Sequence, residues 1–574
     1  MNLTVDNRGY NKNNVFKAAK INLISIADNH GDLLAMPQLM KAIQCHKKDI
    51  FEKPSEKSTL NLFAIAGDFF MNPLKRGFFT NPEYNNGDVQ YNFLAKMIYT
   101  VKNAAGIKNF FETIYTPGNH CYDGGDEWLY KKLKRAPMTT IMSNVNMEKS
   151  PMVKELMEEN ENVVTQKILE VPDNKKENVT HKILFLGVTI PSMDYFVPGM
   201  LKGTTFINNS TKNDAYLKKK DLYETLREIK YIVNTFKKKY ENSTVVLLSH
   251  MGNKISSLIA DAAPDINLIL NGHDHKEFEI MHGKTLILSH GQGSKFFRAV
   301  QMFINDNGSL QEIKTRKIET DKYDPIARKD KKLQEFLAAN IGKDLIPIVT
   351  FKNSSGATEE MVLDDTIRYT NNTLANYITS AIKRPIRNIY SDVAAVGIPG
   401  STFRNGLKSN ERRHTLNNLD LMKIFDGVSE SYSQVKIGKI TGQELSDLII
   451  ENVKNNLKSR TRNAIIQWSD IQVNRGLIKN IQEGLSDAKY EDAIMIREPK
   501  KKSFAPIDLN KEYMIVLPDK YLQKTSKSIQ IPSMIKDKFT DTNETFDSLF
   551  RQYLEIIDYK VKITDKTREQ RILD

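Results

Sequence analysis

The segment Ile21-Asn22-Leu23-Ile24-Ser25-Ile26-Ala27-Asp28-Asn29-His30 sets a carboxylate and an imidazole just beyond a β-branched, apolar run. The run reads as a buried strand, and the one-residue gap lets Asp28 and His30 converge on a single ion. The pattern recurs downstream. Gly67-Asp68 follows the strand-like Leu60–Ala66, the glycine turning the backbone sharply and leaving the aspartate at the tip. Gly118-Asn119-His120 follows Phe110–Thr116, Ser249-His250 ends the apolar Thr244–Leu248, and Gly272-His273-Asp274-His275 ends Ile266–Leu270. Each piece alone is weak, since an Asp-x-His after a strand is more often a turn. Together, five pieces in one order draw in five of the ten histidines, and coincidence explains that poorly.

Further strands are read at Lys182–Val188 and Lys284–Leu288, and a helix at Leu33–Cys45. Across Ala215–Tyr240, apolar residues recur at helical spacing (Leu217, Leu222, Leu226, Ile229, Ile232, Val233, Phe236) on a lysine-rich, solvated background. Strands alternating with helices predict a layered α/β domain, in which ligand sites lie beyond the carboxyl ends of the strands. Five tips can therefore gather around one point. Asp28, His30, Asp68, Asn119, His250, His273 and His275 are too many ligands for one ion and fit two, provided one carboxylate bridges them. Mixed oxygen and imidazole donors suit zinc, manganese or iron and not calcium.

The 574 residues exceed what one hydrophobic core organises, so about two to four domains are expected. No stretch approaches the roughly 18 apolar residues of a membrane span. Met1–Lys20 is polar and lacks the apolar core of a secretory signal, so the expected location is cytoplasmic. Cys45 and Cys121 cannot build a disulfide framework. The net charge of +13 favours anionic partners, although abundant Lys, Asn and Ile make composition bias the better explanation. A dense mixed-charge stretch near Lys317–Lys332, then a short helix at Leu333–Ala339, reads as a connection between domains. The division expected is 1–316, a connection over 317–345, and a mixed α/β region over 346–574 with helices at Thr373–Lys383 and Thr441–Asn455.

The order Asp-x-His, Gly-Asp, Gly-Asn-His, Ser-His and Gly-His-x-His resembles the signature of calcineurin-like metallophosphoesterases. The continuation Gly118-Asn119-His120-Cys121-Tyr122-Asp123-Gly124-Gly125 is similar to the Gly-Asn-His-Glu-Phe-Asp-x-Gly segment of the bifunctional 5′-nucleotidase and UDP-sugar hydrolase family. Cys121 and Tyr122 depart from it, and Ser143-Asn144-Val145 resembles a later Ala-Asn-Val. The resemblance implies a four-layer sandwich catalytic domain followed by an α/β 5′-nucleotidase C-terminal domain. It also implies two divalent ions. Asp28, His30 and His275 would hold one, Asn119, His250 and His273 the other, and Asp68 would bridge. His120 and Asp123 would be the catalytic pair, His120 stabilising phosphoryl charge and assisting the leaving group.

The later chain resembles the specificity domain of that family. Ile367-Arg368-Tyr369, Gly400-Ser401-Thr402-Phe403-Arg404, Ile424-Phe425-Asp426, Gly438–Leu445 and Gln467-Trp468-Ser469-Asp470-Ile471 fall where its motifs fall. By that resemblance Arg368 and Arg404 would bind the anionic group of the substrate, a task that suits a guanidinium fork, and Phe425 would stack on a base. The Gly-rich loop ahead of Arg404 is altered, and the late Gly-Gly-Asp-Gly-aromatic motif is missing after Tyr513–Leu522. The expected substrate is a nucleotide or related small phosphomonoester. A phosphodiester or nucleotide sugar, a nucleic acid, and ligand binding by a dead site are the competing readings, and no membrane partner is expected.

Overall fold

The computed structural model describes residues 18–33, 35–51, 58–70, 88–106, 110–193, 199, 201–209, 217–291, 295–342, 347–352, 355, 361–363, 372–400, 411–413, 415–417, 434–458, 465–497, 503–522, 533–557, 560–562 and 572–573. They form two compact units, the first reaching Ile341 and the second taking up from Gly342. Among the described residues no helix is long and apolar enough to cross a membrane.

The first unit is built on two sheets. One contains β1 (Ala19–Ile26), β2 (Thr59–Ala66), β3 (Phe111–Thr116), β4 (Thr139–Ile141) and β5 (Val163–Val164), all parallel, and is extended at β1 by the later antiparallel hairpin. The other is formed by β6 (Lys167–Pro172), β7 (Thr180–Thr189), β8 (Thr244–His250), β9 (Leu268–Asn271), β10 (Phe278–His282) and β11 (Thr285–Ser289). Its order is β10-β11-β9-β8-β7-β6, with a parallel centre and antiparallel edges. The hairpin of β12 (Phe296–Ile304) and β13 (Leu310–Glu319) returns the chain to the first sheet beside β1.

Side-chain alternation dictates the layering. In β7, β8 and β9, Ile183, Phe185, Val246, Leu248, Leu268 and Leu270 pack against Leu23, Leu62, Ala64 and Ile114 of the first sheet. Their neighbours Leu184, Leu186, Val245, Leu247 and Ile269 point the other way. Both faces are buried, and for that reason these strands read as unbroken apolar runs.

Helices cover the outer faces. The first sheet is covered by α1 (Met36–Ile50) and α2 (Asp88–Ala105). The second carries α3 (Tyr223–Lys239) and α4 (Asn253–Ala262), where Leu226, Ile229, Val233, Phe236, Ile255 and Ile259 meet the outward residues. The result is the four-layer α/β sandwich expected from the sequence. α1 starts three residues later than its periodicity suggests. Asp32 Oδ1 accepts from the N–H of Ala35 at 3.3 Å, making a turn there, and a proline occupies the first helical turn. The stretch after Glu319 supplies α5 (Asp324–Lys329) and α6 (Lys331–Ile341), which belong to the first unit and pack on α1 and α2.

The second unit centres on a five-stranded sheet in the order Ile466–Trp468, Val393–Pro399, Glu512–Pro518, Gln434–Thr441, Phe539–Thr545. Apolar cores lie on both of its faces. Helices α7 (Thr373–Ile389) and α9 (Phe546–Ile556) cover one, and α8 (Gly442–Lys458) covers the other. The start of α8 is written locally: Glu444 N–H donates to Thr441 Oγ1 at 3.2 Å, and Thr441 N–H to Glu444 Oε2 at 2.9 Å, a capping box.

At the carboxyl end of the first unit the two sheets are stitched together through Ser143-Asn144, just past β4. Gly187 N–H donates to Ser143 Oγ at 3.0 Å, Asn144 Nδ2 to Thr189 O at 2.6 Å, and Thr189 N–H to Asn144 Oδ1 at 3.1 Å. The sheets come so close that a Cβ on Gly187 would stand 2.5 Å from the carbonyl oxygen of Ile141. Gly187→Ala should therefore lower the urea midpoint, by about 1–3 kcal/mol in stability, since backbone cannot yield as a side-chain tip can. An unchanged midpoint would mean the seam has slack.

Candidate metal centre

All five sequence pieces sit at carboxyl ends of parallel strands: Asp28 and His30 past β1, Asp68 past β2, Asn119 and His120 past β3, His250 closing β8, His273 and His275 past β9. Turning these side chains inward requires an unusual backbone. Among the described residues eight non-glycine residues have positive φ, and five of them are Asp28 (51°), His30 (52°), Asp68 (42°), His273 (86°) and His275 (55°). Such conformations are sparsely populated and persist where surrounding structure imposes them. Here the tips of β1 and β2 stay paired past the strands, with His30 N–H on Asp68 O at 2.7 Å and Gly31 N–H on Phe69 O at 3.1 Å.

Three groups of donors result, with the ligand atoms of each group within 4.8 Å of one another: Asp28, His30 and His275; Asp28, Asp68 and His250; His30, Asp68 and His120. His30 Nε2 lies 2.8 Å from His275 Nε2, and His250 Nε2 lies 2.9 Å from Asp68 Oδ2. Those last two atoms are buried, and neither makes a hydrogen bond. Two ligand atoms held this close in a buried seam, neither of them hydrogen-bonded, leave a place for a cation. The other ring nitrogen of His250 donates to Ala66 O at 3.0 Å, which fixes the tautomer and leaves Nε2 as a ligand. Asn119 Oδ1 and His273 Nδ1 stand 3.0 Å apart, with the His273 and His250 ring centroids at 5.3 Å. The mixed oxygen and nitrogen set fits two borderline divalent ions such as zinc, manganese or iron.

Electrostatics point the same way. Burial pushes the Asp28 carboxyl up to about 7, and nearby Asp68 adds to this against His250 and two N–H bonds from His273 (3.0 and 3.1 Å). Burial opposes ionisation of Asp68 too, but His250, His120 and His30 outweigh it and hold the carboxyl well below the usual range. For His250 burial is also outweighed, by Asp68 and Asp28, and its pKa rises to about 9. A divalent ion bound here would take the place of a proton on His250 and would balance the carboxylate charge.

His120 stands at the rim. Its N–H donates to Asp68 Oδ1 at 2.8 Å, its ring lies 5.1 Å from that of His30, and Nδ1 is 3.0 Å from Asp123 Oδ2. Cys121, at the position where the resembled family has glutamate, is buried and accepts the Tyr115 hydroxyl at 3.0 Å; burial pushes the thiol up to about 12. Such a thiol is inert. Arg368, Arg404 and Phe425 lie outside the described residues.

Sequence reasoning passed over the residues that hold the ligand loops. Asp274, between the two late histidines, accepts the N–H of Asn253 at 2.6 Å and so caps α4, binding the loop after β9 to the helix after His250. Asn271 accepts from Ser256 Oγ at 2.6 Å and donates to Asn253 Oδ1 at 2.8 Å. An acid between two ligands was the available signal for Asp274. None pointed to Asn271.

Comparison with known proteins agrees with this geometry. A family model for calcineurin-like phosphoesterases matches residues 21–277, the stretch that carries all seven candidate ligands. No curated protein sequence matches. Among solved structures, a 5′-nucleotidase precursor from Thermus thermophilus aligns over 96% of this chain and 99% of its own, at 16% identity and a TM-score of 0.62. A putative 5′-nucleotidase from Staphylococcus aureus aligns over 95% and 100%, at 12% identity and a TM-score of 0.57. The sulfate thiohydrolase SoxB, also from Thermus thermophilus, aligns over 98% of both chains, at 13% identity and a TM-score of 0.56. These are likenesses of fold: the chain has the two-domain fold of 5′-nucleotidases, which also serves a thiohydrolase.

Behind the centre, His290 is buried just past β11. It donates from Nδ1 to Asn271 O at 3.2 Å and stacks on Phe296 at 6.4 Å. Burial, then Arg298, pushes its pKa down to about 4. In the unfolded chain the value is about 6.5, so the unfolded state takes up the proton first. The stability that neutral His290 contributes is whole above pH 6.5 and is lost as pH falls toward 4. His290→Gln cannot titrate and should lose less stability between pH 7.5 and 5 in urea unfolding. Equal losses in both proteins would refute this.

Proposed function

We propose that the chain is a dinuclear metal-dependent phosphoric ester hydrolase of the 5′-nucleotidase kind, releasing phosphate from a nucleotide or a related phosphomonoester. One observation carries the reading: Asp28, Asp68 and His30 each belong to two of three overlapping donor groups, and His120, a member of one, is paired with Asp123. Asp28, His30 and His275 would hold one divalent ion, Asn119, His250 and His273 the other, and Asp68 both. Bound there, such ions supply Lewis acidity and bring the pKa of water toward neutrality. Every remaining task falls to side chains. Asp123 orients the His120 ring. His120 in turn offers a hydrogen bond to a phosphoryl oxygen and a proton to the departing alkoxide. No protein nucleophile is required.

In this reading residues 1–316 carry the chemistry and 346–574 choose the substrate, Arg368 and Arg404 gripping its anionic group and Phe425 stacking on its base. The family domain and the two-unit fold support that division. The fold by itself does not choose the ester, since a thiohydrolase shares it.

The test is phosphate release by the Mn²⁺-loaded protein from mononucleotides, cyclic nucleotides, a nucleotide sugar and single-stranded DNA. Mononucleotides should turn over with little dependence on salt, whereas a nuclease would weaken steeply with it. Asp68→Ala should abolish turnover, and His120→Ala should lower kcat by about 10²–10⁴. A protein that binds two ions and cleaves none of these esters would defeat the proposal.

A further inference from the structure

Three residues beyond His275 the chain enters β10, the edge strand of the second sheet. Glu277 and Glu279, two apart on extended chain, share a face. Across from them, on the edge of the first sheet, Arg298 of β12 and Lys317 of β13 are register partners. The four side chains form a ladder of two rungs. Arg298 Nη1 donates to Glu279 Oε2 at 2.6 Å, and Lys317 Nζ to Glu277 Oε2 at 2.8 Å. The first rung is reinforced twice, by Thr315 Oγ1 donating to Glu279 Oε1 at 2.6 Å and by Arg298 Nη2 donating to Phe278 O at 3.3 Å. Arg298 is 3% exposed, and both cations lie over the Phe296 ring, at 5.6 and 4.7 Å.

His275 needs such support. Its side chain is 29% exposed and its φ is +55°, so the ring keeps its place against His30 only as well as its backbone is held. A ligand on a loop keeps its place only as well as the chain on either side is held. On the N-terminal side Asp274 is tied to α4. On the C-terminal side the ladder is the tie.

We infer that the Glu277–Lys317 and Glu279–Arg298 ladder is a positioning device that clamps the strand leaving His275 to the opposite sheet, and so sets the affinity of the ion held by Asp28, His30 and His275. The inference rests on the two-metal reading above. Arg298 and Glu279 are positioning residues in it, since they touch neither ion nor substrate.

Calorimetric titration of the metal-stripped full chain with Mn²⁺ tests it. The parent should show two binding events, and Glu279→Gln should weaken one of them by about 10–100-fold while leaving the other in place. Glu277→Gln, on the more exposed rung, should weaken the same event less, and it carries the test if Glu279→Gln fails to fold. The unfolding temperature of the metal-free variants reads any purely structural role. A lowered temperature with unchanged Mn²⁺ affinity would make the ladder a plain staple between sheets and overturn the inference, as would equal weakening of both events. A parent that takes up no Mn²⁺ would instead remove the two-metal reading itself, whatever the variants do.

Discussion

The structure turns on the cost of burying two carboxylates side by side. Asp28 and Asp68 are both fully enclosed at the seam between the sheets, where an ionised acid is tolerable only if paired and hydrogen-bonded. The protein supplies part of what is needed through His250, His30, His120 and the backbone N–H groups of His120 and His273. The balance is incomplete, because Asp28 is still pushed up to about 7. Divalent charge would complete it. A centre built this way is unfinished as protein alone, and that is a stronger reason to expect metal than the count of histidines.

From this follows the distribution of strain. The ligands must face one another across a gap between two sheets, so the chain leaves each strand through a left-handed residue or a glycine. Gly67 shows how little room remains: a Cβ there would stand 1.9 Å from His250 Nδ1, on the side of the ring that donates to Ala66. Such backbone is unstable in isolation and depends on its supports. Those supports are polar and long-range: Asp274 on α4, Asn271 on Asn253 and Ser256, Ser143-Asn144 across the seam. Apolar packing brings the sheets together, and these hydrogen bonds set the register in which their tips meet.

The division between what could and could not be read from the sequence has the same origin. Strands β7, β8 and β9 were legible because burial on both faces leaves an uninterrupted apolar run, and α3 because one apolar stripe stands out from lysines. The candidate ligands could be picked out because a donor just past a strand is a local feature, and the structure brings those donors to one seam. The β12–β13 hairpin was not recognised, since pairing with β1 joins residues nearly three hundred positions apart and leaves no local mark. The helix at Asp88–Ala105 escaped for another reason. Its buried residues include Gln90 and Thr100 among the apolar ones, which blurs the stripe. The stretch after Glu319 read as a connection because its charges are dense, yet its helices bury Ala327, Leu333, Leu337 and Ile341 against the first unit.

Reaction class and substrate are encoded at different distances from the backbone. The ligands sit within a few residues of strand ends, so the fold that brings five strands together also brings the donors together. The residues proposed to choose the substrate have no such anchor in the sequence, and there the chain departs from the pattern it otherwise resembles, losing the glycines ahead of Arg404 and the late aromatic motif. A 5′-nucleotidase precursor and a thiohydrolase share this fold at such low identity, so the fold by itself does not choose the bond. The metal centre therefore argues for how a bond is broken, and the residues around it for which one.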